Sequence, residues 1–254
     1  MRYWNGSLIS SNEHPTALSA ASGIYDLTSQ QVYKALNKWP FTSSGVVLTD
    51  LVLYLDAGES ASYSGTGTTW SDLSTSGNNG TIDGPTYSTA NGGVFDFDGS
   101  NDKVTTSDMF DPNSDFTVNA WVNQDDAANN TIISRSSSSG ALQIRFNSSS
   151  NVQVVDSFVT DVGAFTGFTA STATWYNICV TRSSNTYSLY LDGFFVSSFT
   201  NSNSYSNAPN VIGDNLGVST ESFNGKIAAV LAYTRALSAT EILNNHNAFV
   251  SRFP

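Results

Sequence analysis

The sequence has little charge, almost no cysteine and very little histidine, and each shortage removes a class of explanation. Of 254 residues only 12% are charged, about half the usual share. Ten Lys and Arg stand against 21 Asp and Glu, for a formal net charge of -11. No basic cluster exists that could displace counterions from phosphates, which argues against nucleic-acid binding. An anionic membrane surface is disfavoured for the same reason. Cys179 is the single cysteine, so no intrachain disulfide can form. It lies between Ile178 and Val180 in an apolar strand pattern and reads as a small core side chain. Two distant histidines, His14 and His246, are a poor basis for a zinc site. No apolar run approaches the roughly 18 residues a membrane helix needs. The opening Met1-Arg-Tyr-Trp-Asn-Gly-Ser7 lacks the apolar stretch of a signal peptide. The expectation is a chain made in a cytoplasm, without membrane insertion.

Catalytic patterns are also short of parts. A glycosidase needs two carboxylates across the scissile bond, about 5–5.5 Å apart in retaining enzymes. Glu13, Glu59, Glu221 and Glu241 are the only glutamates, and they are scattered. Asp96 and Asp98 share one strand face, but nothing marks them as an acid and a base. Ser/His/Asp catalysis needs a positioned His, and no Gly-x-Ser-x-Gly elbow, Walker loop or dinucleotide fingerprint is present. The expectation is that the protein is not an enzyme, and no catalytic residue is assigned.

What is present is β-sheet. Phe116, Val118, Ala120 and Val122 alternate with other residues, and Leu142, Ile144 and Phe146 alternate with Gln143 and Arg145. A period of two is a strand with one face on a core. Asn79-Gly80, Asp83-Gly84, Asn91-Gly92, Asp192-Gly193 and Asn224-Gly225 punctuate the runs as turns. The clearest hairpin pairs Tyr187–Leu191 with Phe194–Ser198 around Asp192-Gly193. Near the end, Ser238-Ala-Thr-Glu241 is a capping box, and Ile242, Leu243, His246, Phe249 and Val250 continue at helical spacing. Residues 1–45 differ. Thr28 can cap a helix with Gln31 three residues on, Leu27 and Val32 occupy the staple positions, and Pro40 marks the stop. Trp4, Tyr25, Tyr33 and Trp39 give this arm aromatic surface. The division predicted is an N-terminal arm, 1–45, and a β domain, 46–254.

Three side chains within five residues, Asp98, Asn101 and Asp102, offer hard oxygen atoms, so calcium is the candidate ion. Otherwise they are turn caps. Asp125 and Asp126 read as an exposed acidic loop. Trp70, Tyr87 and Tyr205 lie in polar, loop-like sequence and are the candidates for stacking on a glycan, while Trp121 and Trp175 sit in strands and read as core.

Six or seven of these segments in order carry a resemblance. They are Leu51-Val-Leu-Tyr-Leu-Asp56, Phe95-Asp-Phe-Asp-Gly-Ser-Asn-Asp102, Phe116-Thr-Val-Asn-Ala-Trp121, Trp175-Tyr-Asn-Ile-Cys-Val-Thr-Arg182, Leu189-Tyr-Leu-Asp-Gly193, Phe223-Asn-Gly-Lys-Ile-Ala228 and Tyr233-Thr-Arg-Ala-Leu-Ser-Ala-Thr-Glu-Ile242. Over residues 46–253 they resemble the laminin-G-like, concanavalin-A-like jelly roll. The resemblance implies an all-β, antiparallel jelly-roll sandwich with a short N-terminal helical arm and a short C-terminal helix. Related domains can bind calcium near the Phe-Asp-Gly loop. The hydrolases of this fold carry Glu-x-Asp-x-x-Glu on one strand, which this chain lacks. A second, shorter resemblance links Ala21-Ser-Gly-Ile-Tyr-Asp-Leu-Thr28 and Asn37-Lys-Trp-Pro40 to virion proteins of tailed bacteriophages. It implies a capsid-decoration, tail-fibre or baseplate protein on the virion surface, in many copies or as a homo-oligomer. Tyr25, Leu27, Val32, Tyr33, Leu36 and Trp39 would dock it onto other virion proteins. The alternative is a calcium-dependent lectin module that attaches to cell-surface glycans.

Overall fold

A computed structural model describes residues 45–135, 140–156, 160–215 and 220–253. The chain divides into two units, Met1–Val46 and Val47–Pro254, and the second is described below. The arm residues expected to dock, and His14, lie outside the described residues.

Two antiparallel sheets, each of eight strands among the described residues, form the domain. The first contains β1 (Leu51–Asp56), β4 (Thr86–Ser88), β5 (Val94–Asp98), β7 (Phe116–Gln124), β12 (Tyr176–Ser183), β13 (Thr186–Leu191), β14 (Phe194–Thr200) and β16 (Asn224–Tyr233). Its order is β14-β13-β12-β7-β16-β5-β4. The long β16 has β7 on one side and divides its other side between β5 and β1, with a register shift between Ile227 and Ala229. The second sheet contains β2 (Thr69–Trp70), β3 (Gly80–Asp83), β6 (Lys103–Thr105), β8 (Asn130–Ser134), β9 (Leu142–Phe146), β10 (Val152–Asp156), β11 (Thr160–Ala164) and β15 (Val211–Ile212). Its order is β11-β10-β9-β8-β15-β6-β3-β2.

The alternating residues build the core between the sheets. Leu53, Leu55, Phe95, Phe97, Val118, Ala120, Val122, Ile178 and Val180 share one buried cluster with Val104, Leu142, Ile144, Phe146, Val152, Val154 and Ile212. A bulge between Thr131 and Ile133 lets the adjacent Ile132 and Ile133 both join it. The Asp192-Gly193 hairpin forms as read, with both central residues at positive φ, 51° and 85°, the left-handed pair a two-residue turn requires.

A helix, α1 (Ala239–Phe249), starts at the predicted capping box. Ser238 accepts from the Glu241 N–H, and the Glu241 carboxylate accepts from Ser238 N at 2.9 Å. Arg235 donates to the same carboxylate at 2.7 and 3.0 Å and holds it down at about 2. α1 lies on the outer face of the first sheet. There His246 stacks on Trp121 at 5.3 Å, and Phe253 covers the same indole at 4.3 Å. Trp121 is buried as expected, but on the face opposite the inter-sheet core. Cys179 is also buried outside that core cluster, and burial pushes its thiol well above the ordinary range.

Candidate functional site

The Phe95–Asp102 segment is β5 followed by a tight turn. Asp98 Oδ1 accepts the Ser100 N–H at 2.8 Å, and Asp102 Oδ2 accepts the Asp98 N–H at 2.9 Å. Asn101 is exposed. Asp102 is buried, and burial raises its carboxyl above the usual range while the Asp98 N–H pulls the other way. The three candidate calcium ligands do meet in one loop, but the two carboxylates face backbone N–H groups. Coordination would require those oxygens to turn away from their donors. Among the described residues no group of three or more His, Cys, Asp and Glu is placed to hold a metal ion. Asp125 pairs with Lys226 at 2.9 Å, and Asp126 receives the Asn224 amide at 2.7 Å. Asp96 and Asp98 keep their shared face, with Lys226 3.8 Å from Asp96.

The aromatic candidates are redistributed. Trp70 is fully buried with its ring 4.7 Å from Phe95, so the expectation that it faces a glycan is corrected. Trp70 lies in β2, paired to β3, where Thr69 is exposed and the indole turns onto the core. Tyr205 is buried too, its hydroxyl 3.2 Å from that of Tyr187. Tyr87 is half-buried against Tyr63 and Phe95, at 5.0 and 5.7 Å. Trp175 is half-buried against Phe253.

Tyr205 nevertheless marks a groove. Asp108, Phe110, Asp111, Asn113, Tyr205 and Ser206 are among the residues lining a cavity of about 410 Å³, within the range of small-ligand sites. Its walls are the loops before β7 and before β15, and they are tied together. Asn113 Nδ2 donates to the Tyr205 carbonyl, and Tyr205 N donates to Asn113 Oδ1, both at 2.8 Å. Arg182 donates to the carbonyls of Asn113 and Ser114. Arg135 bridges Asp108 at 2.5 Å and the Ala208 carbonyl at 2.9 Å. The N–H of Asn113 and the Ser114 hydroxyl hold Asp111 below the usual carboxylate range. The groove is therefore preorganised, with the carboxylates of Asp108 and Asp111 among its lining groups.

A second polar assembly lies on the outer face of the second sheet. Gln143 and Arg145 alternate with core residues on β9, and Gln153 faces the same way on β10. Glu221 sits at their centre. Its Oε1 accepts from Arg145, and its Oε2 accepts from Gln143 at 3.1 Å and Asn215 at 2.8 Å. Gln143 also donates to Thr131 Oγ1 at 2.7 Å, and Arg145 Nε donates to Gln153 at 3.2 Å. Burial pushes the Glu221 carboxyl up, but the amides of Asn215 and Gln143 and the Arg145 charge outweigh it, and the net direction is down. Sequence reading missed this assembly. The alternation of Gln143 and Arg145 was visible, but Glu221 is 76 residues from Arg145, and no local pattern pairs them.

No curated protein sequence matches the chain. Several solved structures share its fold. Trypanosoma rangeli sialidase in complex with sialic acid is 15% identical with a TM-score of 0.58, over 82% of this chain and 34% of that one. Domain 4 of AbnA, a GH43 extracellular arabinanase from Geobacillus stearothermophilus, in complex with arabinotriose, is 16% identical with a TM-score of 0.59, over 78% and 98%. The binding domain of Paraclostridial Mosquitocidal Protein 1 is 16% identical with a TM-score of 0.57, over 79% and 52%. The chain spans about a third of the length of the sialidase. At these identities the likeness is one of fold. Residues 98–243, more than half of the sequence, match a laminin-G-type family model. With two antiparallel sheets closed on one core, the chain belongs to the concanavalin A-like lectin/glucanases superfamily.

Proposed function

We propose that this protein is a non-catalytic carbohydrate-recognition domain displayed on a tailed-bacteriophage particle, with residues 1–45 as its docking arm. The observation that carries recognition is the preorganised groove between Asp108–Asn113 and Tyr205–Ala208. Carboxylates and amides fixed on a rigid frame accept sugar hydroxyls without an ordering cost. Glu221 supports a binding role over a catalytic one. A glycosidase acid needs a raised pKa and a free proton to give, whereas Glu221 is lowered and has both oxygens engaged. The virion setting rests on the resemblance of Ala21–Thr28 and Asn37–Pro40 to phage virion proteins.

A glycan array probed with the full chain tests recognition, and incubation of each hit with the protein tests catalysis. Binding without cleavage is expected. Ala208→Trp, which fills the groove, should abolish binding to the groove's ligand while leaving the thermal midpoint in place. Cleavage of any bound oligosaccharide would overturn the non-catalytic reading, and an array without hits would overturn recognition. Immunogold labelling of purified particles with antibody to residues 46–254 tests the setting. Label on the head or tail supports it, and bare particles sink it.

A further inference from the structure

Three Asn-Gly pairs occur among the described residues, and the fold treats one of them differently. An asparagine before glycine can react with its own chain, because the glycine nitrogen reaches the side-chain carbonyl carbon and has no β-carbon beside it to obstruct attack. Asn79-Gly80 and Asn224-Gly225 place their glycines in β3 and β16, where both are buried and paired, Gly80 with Trp70 and Gly225 with Phe97 and Gln124. Asn91-Gly92 lies in the short turn between β4 and β5, with Asn91 at φ 50° and Gly92 exposed. There Arg252 Nε donates to the Asn91 carbonyl oxygen at 2.9 Å. That oxygen belongs to the same peptide group as the Gly92 nitrogen. The guanidinium is fixed by Asp56 Oδ1 at 2.6 Å and by the Gly93 carbonyl at 2.8 Å, and the Arg252 side chain is only 19% exposed. A β-carbon at residue 92 would crowd Nε at 3.2 Å, so glycine is what admits the cation this closely.

We propose that Asn91-Gly92 is a self-modification site and that Arg252 activates it. Hydroxide takes the Gly92 N–H proton, and the negative charge spreads onto the Asn91 carbonyl oxygen, where the guanidinium stabilises it. The nitrogen attacks Asn91 Cγ and forms the N–Cγ bond. The Cγ–Nδ2 bond breaks, and ammonia leaves with a proton from water. Water then opens the five-membered imide at either carbonyl, which leaves aspartate or isoaspartate at position 91. No oxidant or further reagent is needed. Both products lose the Nδ2 group that donates to the Arg252 carbonyl at 2.9 Å. That carbonyl precedes Phe253, whose ring covers Trp121 at 4.3 Å and Trp175 at 4.6 Å. The reaction therefore loosens the cover over the outer face of the first sheet.

The test is to incubate the full chain in mildly alkaline buffer and follow each site by peptide mapping with tandem mass spectrometry. Asn91 should convert ahead of Asn79 and Asn224, and isoaspartyl methyltransferase should label the product. Conversion at Asn91 no faster than at either other site would overturn the site. Arg252→Gln should slow conversion about tenfold, the worth of one charge-assisted hydrogen bond to the reacting peptide. If the arginine merely held the turn still, the same variant would speed the reaction, and an unchanged or faster rate would overturn activation. Wild-type chain unfolded in urea loses the Arg252 contact and should slow at Asn91 in the same way, which decides the matter even where Arg252→Gln fails to fold. The near-ultraviolet dichroism of Trp121 should weaken in step with conversion. Conversion with that signal unmoved would overturn the loosening.

Discussion

The outer faces of the two sheets obey the same alternation, and the residues they turn outward are buried by different means. On the first sheet, the residues facing away from the core include Asn119, Trp121, Asn177 and Cys179, all buried. α1 and Phe253 convert that face into a second packing layer, with Tyr54 against Phe249 at 6.2 Å. Some polar members bond one another, Asn119 donating to Asn177 at 3.1 Å and Asn245 to the Tyr233 hydroxyl at 2.9 Å, while Trp121 Nε1 and Asn123 Oδ1 have no partner among the described residues. On the second sheet the outward residues include Gln143, Arg145 and Gln153. Gln143 and Arg145 donate to the Glu221 carboxylate, and Gln153 accepts from Arg145 Nε. The same strand rule supplies an aromatic packing layer on one face and a polar hydrogen-bond network on the other. What differs is what the chain lays over each.

Four experiments can break or sharpen that contrast. The largest effect belongs to Trp121→Ala, which removes the indole between β7, His246 and Phe253. A loss of about 3–5 kcal/mol is expected in urea unfolding, and a loss below 1 kcal/mol would mean that α1 does not form a packed layer. Next is Glu221→Gln, which leaves Arg145 without its counter-charge. Breaking a fully buried pair costs ~3–5 kcal/mol, and the residual exposure of this one lowers the expectation to about 2 kcal/mol. The pH dependence has a definite sign. The Glu221 carboxyl is depressed in the folded chain, so its contribution is full above the ordinary value of 4.5 and is lost as pH falls below it. Wild type and Glu221→Gln should converge in thermal midpoint on acidification; a gap that persists at low pH would show that charge is not its origin.

Ser238→Ala comes third, at about 1 kcal/mol for a lost helix cap. Its measurement is the thermal midpoint together with the near-ultraviolet dichroism of Trp121, which should weaken as α1 frays. A change in the midpoint without a change in that signal would separate the helix from the layer beneath it. The smallest effect is expected from calcium. Asp98 and Asp102 already accept backbone N–H groups, so calcium or a chelator should leave the thermal midpoint where it is. A calcium-dependent rise that Asp98→Ala abolishes would mean that the turn reopens around the ion.

The features legible in the sequence were the local ones. The Asp192-Gly193 turn, the Ser238–Glu241 capping box and the alternation in β9 each depend on residues within a few positions, and the chain realises all three. Side chains whose fate depends on distant partners were not legible. Trp70 and Tyr205 sit among Ser, Thr, Asn and Gly and read as exposed. Trp70 is claimed by Phe95, and Tyr205 by Tyr187 across the β13–β14 hairpin. The carboxylate that organises the polar face is one of four scattered glutamates, and nothing beside it announces Arg145.

The sequence by itself determined the strands, their turns, the closing helix and the superfamily, because backbone preference and hydrophobic period act over neighbouring residues. It also determined the acidity that disfavours nucleic acid. What covers each outward face and which polar groups meet were settled by the tertiary structure. Burial and hydrogen-bond satisfaction depend on residues far apart in the chain, and only the folded sheets bring Gln143, Arg145, Asn215 and Glu221 within bonding distance of one another.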